Sequence, residues 1–222
     1  NTFFKGGWRM LSGKAIVLGV SGGIAAYKAA ALSSRLSQAG ANVDVIMTPS
    51  ACKFIQPLTF QALTRRPVLT DVFEENDPSV ISHIEVADRA DLVVIAPATA
   101  NFIGKMANGL ADDMLSTTVL ATTAPVWIAP AMNVHMYAHP AVQANLETLE
   151  RRGVRAIEPG EGPLACGYTG KGRLAEPEQI FQLIVDYFNN VQTPAPLSGK
   201  KLLVTAGGTR ERIDPVRYIG ND

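Results

Sequence analysis

Five short apolar runs alternate with stretches of helical periodicity, and this alternation constrains the fold more than any other feature of the sequence. The runs are KAIVLGV (14–20), VDVIMT (43–48), DLVVIAPA (91–98), PVWIAPAM (125–132) and VRAIEP (154–159). Runs of this length, rich in β-branched residues, are typical of strands buried on both faces of a parallel sheet. The alternation therefore predicts an α/β protein, in which a doubly wound parallel sheet is the middle layer of a three-layer sandwich.

The intervening stretches predict the helices that cover this sheet. In the first stretch, apolar residues recur at spacings of four and three up to a natural stop at Gly40. These residues are Ala25, Ala29, Leu32, Leu36 and Ala39. The segment HIEVAD (83–88), before the third strand, alternates like a short strand. Further helices are predicted at about 51–65, 111–121, 139–153 and 177–190.

Glycine and small polar residues follow all five predicted strands. The segments are SGG (21–23), TPSA (48–51), PATAN (97–101), PAMN (130–133) and GEGPLACG (160–167). Ligands of an open parallel sheet bind beyond the carboxyl ends of its strands, so these segments are predicted to line one site. The last of them overlaps GPLACGYTGKGR (162–173), whose four glycines predict a loop rather than a packed strand or helix.

The turn after the first strand, in GVSGGIAAYK (19–28), is a candidate phosphate site. Backbone N–H groups at a glycine turn and at a helix N-terminus suit an anion, and Ser21 adds a hydroxyl. The spacing is not that of a dinucleotide turn, and no acidic residue ends the second strand to bind an adenosine ribose. The sequence therefore argues against NAD and favours a mononucleotide with one phosphate, near the hydroxyls of Thr48, Ser50 and Thr99.

Composition and charge argue against several other classes of protein. Lys plus Arg and Asp plus Glu are both 20, so a net charge of zero offers no bulk attraction to nucleic acid or to an anionic membrane. No apolar run approaches the roughly 20 residues of a membrane span. The two cysteines, Cys52 and Cys166, are too far apart for a metal knuckle, and their scarcity favours a reducing cytoplasm.

The composition changes after the last predicted helix. VQTPAPLSG (191–199) has the character of a linker, and KKLLVTAGGTR (200–210) repeats the pattern of GKAIVLGVSGG (13–23). We interpret 11–190 as one domain, 191–199 as a linker and 200–222 as the first residues of a second α/β domain. One strand and a turn cannot bury a core. The alternative is a strand extension that docks on the first domain.

Six motifs occur in order along the first domain, and together they are far more specific than any one of them. They are SGGIAAYK, TPSACKF, HIEVAD, APATANFIGKMANGLADD, PAMNVHMY and GPLACGYTGKGR. On these motifs the chain, over about residues 11–190, resembles the flavin-containing cysteine decarboxylases, in particular those that act on phosphopantothenoylcysteine in bacterial coenzyme A synthesis. The tail VTAGGTRERIDPVRYIGN (204–221) is similar to the start of the phosphopantothenate–cysteine ligase domain fused to many of them. Two small departures are Tyr137, where the family usually has Trp, and Arg212.

The resemblance implies a Rossmann-like flavoprotein that binds FMN at the edge of the sheet. It also implies a homo-oligomer built from trimers, a dodecamer among the options, with FMN between subunits. The implied activity is that of a cytoplasmic lyase that converts 4'-phosphopantothenoylcysteine to 4'-phosphopantetheine, through flavin oxidation of the thiol, loss of CO₂ and re-reduction. Neither a metal nor a nucleic-acid partner is expected. The residues expected to bind FMN are Ser21, Gly22, Gly23, Ile24, Thr48, Ser50, Phe54, Ala98, Thr99, Asn101, Lys105 and Met132.

Three residues are expected to carry the chemistry. The resemblance makes His83 the base that assists thiol oxidation, and it places the amide of Asn133 against the substrate carboxylate. Cys166 is the expected acid that protonates the enethiol carbon, since a thiol is a serviceable proton donor near neutral pH. The residues expected to hold the substrate are Asn133, Ala165, Cys166, Gly167, Lys171 and Arg173.

Each of these assignments has a plainer alternative. His83 and Lys105 would then lie on the solvated surface, Asn133 would cap a turn, and Cys166 would be a structural thiol. For the whole protein, the rivals are a flavin prenyltransferase of the same fold and a regulatory FMN-binding protein without catalysis. The motifs PAMN and ACGYTGKGR argue against the first rival, and the presence of both His83 and Cys166 argues against the second.

Overall fold

The apolar runs form the strands of a central parallel sheet. The computed structural model describes residues 10–72, 82–163, 169–191 and 210–220. The sheet strands are β1 Ala15–Val20, β2 Asn42–Met47, β3 Val68–Leu69, β4 Leu92–Ala98, β5 Val126–Pro130 and β6 Arg155–Ala156. They pair in parallel in the doubly wound order β3–β2–β1–β4–β5–β6, so the predicted fold class is confirmed. The short edge strand β3 is an addition to the five predicted strands.

Helices cover both faces of this sheet. They are α1 Ala26–Gln38, α2 Pro57–Thr64, α3 Ser82–Arg89, α4 Ala100–Asn108, α5 Met114–Ala121, α6 Val134–Ala138, α7 Pro140–Arg151 and α8 Pro177–Val191. Side chains along the strands alternate between two buried clusters. In β1, Ile16 and Leu18 join the cluster that contains α1 and α8, and Val17 joins the one that contains α4, α5 and α7. A strand buried on both faces requires this period of two.

The segment that begins at His83 belongs to helix α3 and not to a strand, so the prediction from its alternating sequence was wrong. Val86 is 3 % exposed whereas Ile84 is 39 % exposed, and these two residues would share one face of a strand. Helix α3 packs on α5, and Glu85 pairs with Arg89 one turn later, with 3.1 Å between Oε1 and Nη1. The pattern of so short a segment fits both structures, and packing decides between them.

The helix predicted at 51–65 is divided in two. A 3₁₀ turn spans Ala51–Lys53, Gln56 is extended, and α2 begins at Pro57. Proline has no N–H to donate, and its ring disfavours the helical conformation of the preceding residue. A helix therefore begins at Pro57 instead of running through it.

The glycine-rich segment contains two paired strands where the sequence predicted a loop. Strand β7 (Gly160–Pro163) pairs antiparallel with β8 (Thr169–Arg173). Gly162, Gly170 and Gly172 have φ angles of 150°, 154° and 141°, an extended backbone that side chains rarely adopt. Glycine permits an unusual strand here instead of preventing one, so the prediction of a loop was wrong for these two ranges.

Contacts divide the chain into a larger unit, Asn1–Phe188, and a smaller unit, Asn189–Asp222. In the smaller unit, β9 (Arg210–Arg212) pairs antiparallel with β10 (Tyr218–Gly220). The carboxylate of Asp214 closes the turn between them by accepting the N–H groups of Val216 and Arg217 at 2.9 and 2.8 Å. The strand predicted in KKLLVTAGG (200–208) lies outside the described residues.

Gly172 joins the hairpin to the segment after β5, and its substitution should loosen that joint. Its carbonyl accepts the N–H of Met132 at 2.9 Å, and a Cβ added to it would lie 2.4 Å from the Met132 carbonyl oxygen. Gly172→Ala is expected to lower the free energy of unfolding by about 2 kcal/mol or more, because a backbone clash adds to a disfavoured φ. Urea denaturation measures this change.

Gly104→Ala is the matched control. Gly104 lies inside α4, and an added Cβ would meet nothing closer than 3.6 Å. This variant is expected to raise the free energy of unfolding by about 0.5–1 kcal/mol, since alanine favours a helix interior. Equal effects of the two substitutions would contradict the close approach at Gly172.

Candidate active site

A cavity of about 1000 Å³ opens beyond the carboxyl ends of β1, β2, β4 and β5. Four of the five post-strand segments meet there as predicted. Among the described residues of the fifth segment, 160–163, none lines the wall, but β8, which pairs with them, contributes Gly172 and Arg173. The wall residues lie at 21–25, 27–28, 48–50, 97, 99–102, 105, 112–113, 131–133, 136 and 172–174. The predicted residues Ser21, Gly22, Gly23, Ile24, Thr48, Ser50, Thr99, Asn101, Lys105, Met132, Asn133 and Arg173 are among them.

Ser21 joins the ends of the two central strands. Its hydroxyl donates to the carbonyl oxygen of Pro97 at 2.8 Å and accepts the N–H of Thr99 at 3.0 Å. The hydroxyl of Thr99 in turn accepts the N–H of Phe102 at 3.3 Å and caps α4, a helix that the sequence analysis missed. The hydroxyl predicted to face a phosphate is therefore engaged within the fold, where it holds the glycine turn in place.

The glycine turn lies against the end of β2 and leads directly into α1. A Cβ added to Gly22 would lie 2.4 Å from Ser50 Cβ, whereas one added to Gly23 would meet nothing closer than 3.6 Å. Helix α1 has Ala25 at its N-cap and no side-chain cap. The N–H groups of Ala26 and Lys28 are bound by the carbonyls of Gly23 and Ala25 at 3.0 Å. The other N–H groups of the turn and the positive end of the helix dipole suit a phosphate, so this corner of the cavity fits the phosphate of a mononucleotide.

Lys105 stands on the cavity wall between two carboxylates, with Nζ 2.6 Å from Asp112 Oδ1 and 2.8 Å from Asp113 Oδ2. Burial lowers the pKa of Lys105, but hydrogen bonds and attraction from the two carboxylates outweigh it, and the pKa is raised overall. We call these three residues the acidic cluster, because two carboxylates surround one cation. The sequence analysis missed both aspartates, although the motif APATANFIGKMANGLADD contains them.

A second ion cluster joins two cations of the wall, Lys28 and Arg173, to Glu176 behind them, and only Arg173 was predicted from the sequence. Lys28 Nζ contacts both carboxylate oxygens of Glu176, at 2.9 and 3.0 Å, and Arg173 Nη2 lies 3.1 Å from Glu176 Oε1. The hydrogen bond from Lys28 is the main cause of a lowered pKa at Glu176. Two cations share one carboxylate, so we call these residues the cationic cluster.

Asn133 caps helix α6 and lines the cavity at the same time. Its side-chain oxygen accepts the N–H of His135 at 2.8 Å, which confirms the capping alternative and orients the amide. Met132, whose N–H is bound by Gly172, and Met136 line the adjoining wall. Capping therefore fixes Asn133 on the wall and does not withdraw it from the site.

Four predicted site residues of the described ranges do not line the cavity, and three of them are Phe54, Ala98 and Lys171. Phe54 is 54 % exposed, and Ala98 is buried in the core, where its carbonyl accepts the N–H of Ala131 at 3.0 Å. Lys171 is exposed and pairs with Glu158, with 2.6 Å between Nζ and Oε1. The family resemblance implied these residues at the site, but the direction of each side chain depends on packing that the motifs alone do not reveal.

His83 lies on α3 and does not line the cavity of its own chain. Its Nδ1 is buried and has no hydrogen-bond partner among the described residues. Within one chain, the expected base His83 is therefore not on the cavity wall that carries Asn133. Ala165, Cys166 and Gly167 lie outside the described residues.

Metal ligands and membrane spans were also sought in the described ranges. These ranges contain no group of three or more His, Cys, Asp or Glu side chains able to hold a metal ion. No helix in them is both long and apolar enough to cross a membrane. Cys52 is partly buried against the larger core cluster, and burial raises the pKa of its thiol.

The family follows from comparison with known proteins. The family model described as "Flavoprotein" matches residues 8–189. The chain belongs to the flavoprotein family. A second model, "DNA/pantothenate metabolism flavoprotein C-terminal domain", matches residues 197–222 of this flavoprotein.

Curated relatives of this flavoprotein are named coenzyme A biosynthesis bifunctional protein CoaBC. The protein of Bacillus subtilis (strain 168) is 65 % identical over 96 % of the chain, and that of Vibrio vulnificus (strain YJ016) is 51 % identical over 95 %. Each alignment covers 52 % of the relative. The chain thus spans about half the length of the curated relatives it matches.

Solved structures of cysteine decarboxylases share the fold of this flavoprotein. A PPC decarboxylase mutant complexed with pantothenoylaminoethenethiol is 32 % identical, with a TM-score of 0.72 over 79 % of this chain and 98 % of that chain. The FMN-dependent cysteine decarboxylase SpaF is 31 % identical, with a TM-score of 0.70 over 82 % of this chain and 99 % of that chain. The flavoprotein therefore belongs with the decarboxylases that its motifs resemble.

The two glycines of the turn should respond differently to the same substitution. Gly22→Ala is expected to reduce the flavin content of the purified protein strongly, because its Cβ would collide with the backbone of Ser50 and open the turn. Gly23→Ala, whose Cβ has ordinary contacts, should keep more flavin. Visible absorbance at equal protein concentration measures both variants, and equal flavin loss would refute this account of the turn.

Proposed function

We propose that this flavoprotein is an FMN-dependent lyase that converts 4'-phosphopantothenoylcysteine to 4'-phosphopantetheine and CO₂. The observation that carries the proposal is one cavity that combines an uncapped helix N-terminus at a glycine turn, the oriented amide of Asn133 and the cationic cluster. The names of the similar proteins, a bifunctional protein of coenzyme A biosynthesis and a PPC decarboxylase, support the same substrate. The proposed site of action is the cytoplasm.

FMN is the proposed cofactor, and the corner at Gly22 and Gly23 would hold its phosphate. That corner offers backbone donors for one phosphate, and the segment after β2 has no carboxylate for a second nucleotide. When bound, FMN supplies a reversible two-electron acceptor for the substrate thiol. The side chains that would surround it are those of Thr48, Ser50, Thr99, Asn101, Lys105 and Met132.

The charges on the wall orient the substrate, which carries a phosphate and a carboxylate. Two unit charges about 5 Å apart interact by about 3 kcal/mol at an effective dielectric constant of about 20. The phosphate is therefore expected near the cationic cluster and away from the acidic cluster. Asn133 would hold the carboxylate with a neutral amide, since a cation there would stabilise the carboxylate that the reaction must lose.

His83 would take the thiol proton, and Cys166 would give a proton to the enethiol carbon after CO₂ has left. Because His83 does not line the cavity of its own chain, the proposal includes an assembly of subunits. In a trimer-based homo-oligomer with FMN between subunits, His83 of one subunit would complete the cavity of the next. The domain division remains part of the proposal, with a decarboxylase domain at 11–190 and the start of a ligase domain at 200–222.

The function is tested by cofactor release and turnover. Acid treatment of the purified protein should release FMN, and the protein should form CO₂ and 4'-phosphopantetheine from the cysteine substrate.

His83→Asn should retain FMN but release no CO₂, because the thiol loses its base. His139→Asn is the control, since asparagine can replace the His139 cap of α7. Colourless protein that cannot be reconstituted with FMN would contradict the proposed function. Normal turnover in His83→Asn would show that His83 is not the base.

Cys166→Ser separates two roles for the thiol. The hydroxyl of serine has a pKa far above the value of about 8.5 for cysteine, so it is a poor acid near neutral pH. The variant is therefore expected to release CO₂ and accumulate the enethiol, as measured by a CO₂ assay beside mass spectrometry of the product. Fully reduced 4'-phosphopantetheine formed at the wild-type rate would refute the role of proton donor, and absence of CO₂ would place Cys166 in the oxidative half-reaction instead.

A further inference from the structure

A buried carboxylate on β2 joins two arginines from different elements. The side chain of Asp44 is 7 % exposed, and its two oxygens have different partners. Arg66, which follows α2, donates from Nε to Oδ1 at 2.7 Å. Arg89, the last residue of α3, lies with Nη2 2.9 Å and Nε 3.1 Å from Oδ2. The two arginine side chains are similarly exposed, at 34 % and 37 %, but Arg89 places two nitrogens on the carboxylate and Arg66 places one.

Only one of these contacts holds the helix that carries His83. The C-terminal half of α3 is fixed by Arg89, by burial of Val86 and Ala87, and by the hydroxyl of Thr122, which donates to the Ala87 carbonyl at 3.0 Å. His83 lies near the other end of the same short helix. The described anchors of α3 are therefore concentrated away from His83.

Arg89 and His83 lie near opposite ends of the same short helix, so a change in the direction of α3 at Arg89 moves His83. Six residues of α-helix separate His83 from Arg89, which is about 9 Å along the axis, so a tilt of about 10° at the anchor would displace His83 by about 1.6 Å. A misplacement of about 1 Å in a catalytic group can lower a rate by about 100-fold. A small displacement of α3 at Arg89 would therefore lower the rate of a reaction in which His83 is the base.

We propose that Arg89, held by the buried carboxylate of Asp44, is a positioning residue for His83. The inference rests on the proposed function only for the role of His83 as a base. Arg66 contacts the same carboxylate but lies outside α3, so it contributes to the stability of the network without fixing the direction of the helix.

The pair Arg89→Met and Arg66→Met tests this inference. Each substitution keeps an apolar stem and removes one guanidinium from Asp44, while the other arginine still pairs with the buried charge. We expect a larger loss of stability in urea denaturation for Arg89→Met, which also removes the pair with Glu85, and wild-type FMN content in both variants. The value of kcat should fall about 10- to 100-fold in Arg89→Met, with KM unchanged, and less than about threefold in Arg66→Met. Arg89→Lys should recover part of the loss, because an ammonium supplies the charge but not the second donor.

Imidazole NMR gives a readout that does not depend on turnover. The chain has three histidines, so the ring signals of His83 can be assigned by substitution. Arg89→Met should shift or broaden the signals of His83 and leave those of His139 unchanged, whereas Arg66→Met should leave both unchanged. Equal kcat in the two methionine variants, or an unmoved His83 signal in Arg89→Met, would overturn the inference. Normal turnover in His83→Asn would instead remove the proposed base, and the NMR comparison would still report whether Arg89 positions the ring.

Discussion

The pairing of β1 with β4 is the constraint on which the site depends. These strands are neighbours in the sheet, but the helices that follow them, α1 and α4, join the buried clusters on opposite faces. The chain must therefore diverge above this pair, and a crevice opens at the point of divergence. The Ser21 hydroxyl bridges the two strand ends, so a single buried side chain keeps the floor of the cavity in one shape.

Two ion clusters of opposite net charge contribute to different parts of the cavity wall. The acidic cluster surrounds one lysine with two carboxylates, and the cationic cluster shares one carboxylate between two cations. The chain as a whole has no net charge, so this division is a local property of the site. Such an arrangement can orient a substrate that carries two anionic groups without attracting anions to the rest of the surface.

Much of this architecture could be predicted from short-range patterns. A period of two and β-branched runs are dictated by burial on both faces, so strands β1, β2, β4 and β5 were found near their true ends. Two of the failures share one cause. HIEVAD fits a strand or a helix, and glycines in TGKGR permit a loop or an extended strand of positive φ. In each case a neighbour that is distant in sequence decides between the two structures. Helix α5 decides for HIEVAD, and the Met132 carbonyl decides for TGKGR.

By itself the sequence determined the fold class, the convergence of the post-strand segments on one edge and the family of motifs, because each depends on local periodicity or on the order of residues along the chain. Tertiary structure alone decided which side chains reach the cavity. Lys28 meets Glu176 across 148 positions, and Asp44 meets Arg89 across 45. No local pattern encodes such pairs, since they exist only after the sheet and its helices have brought distant charges together.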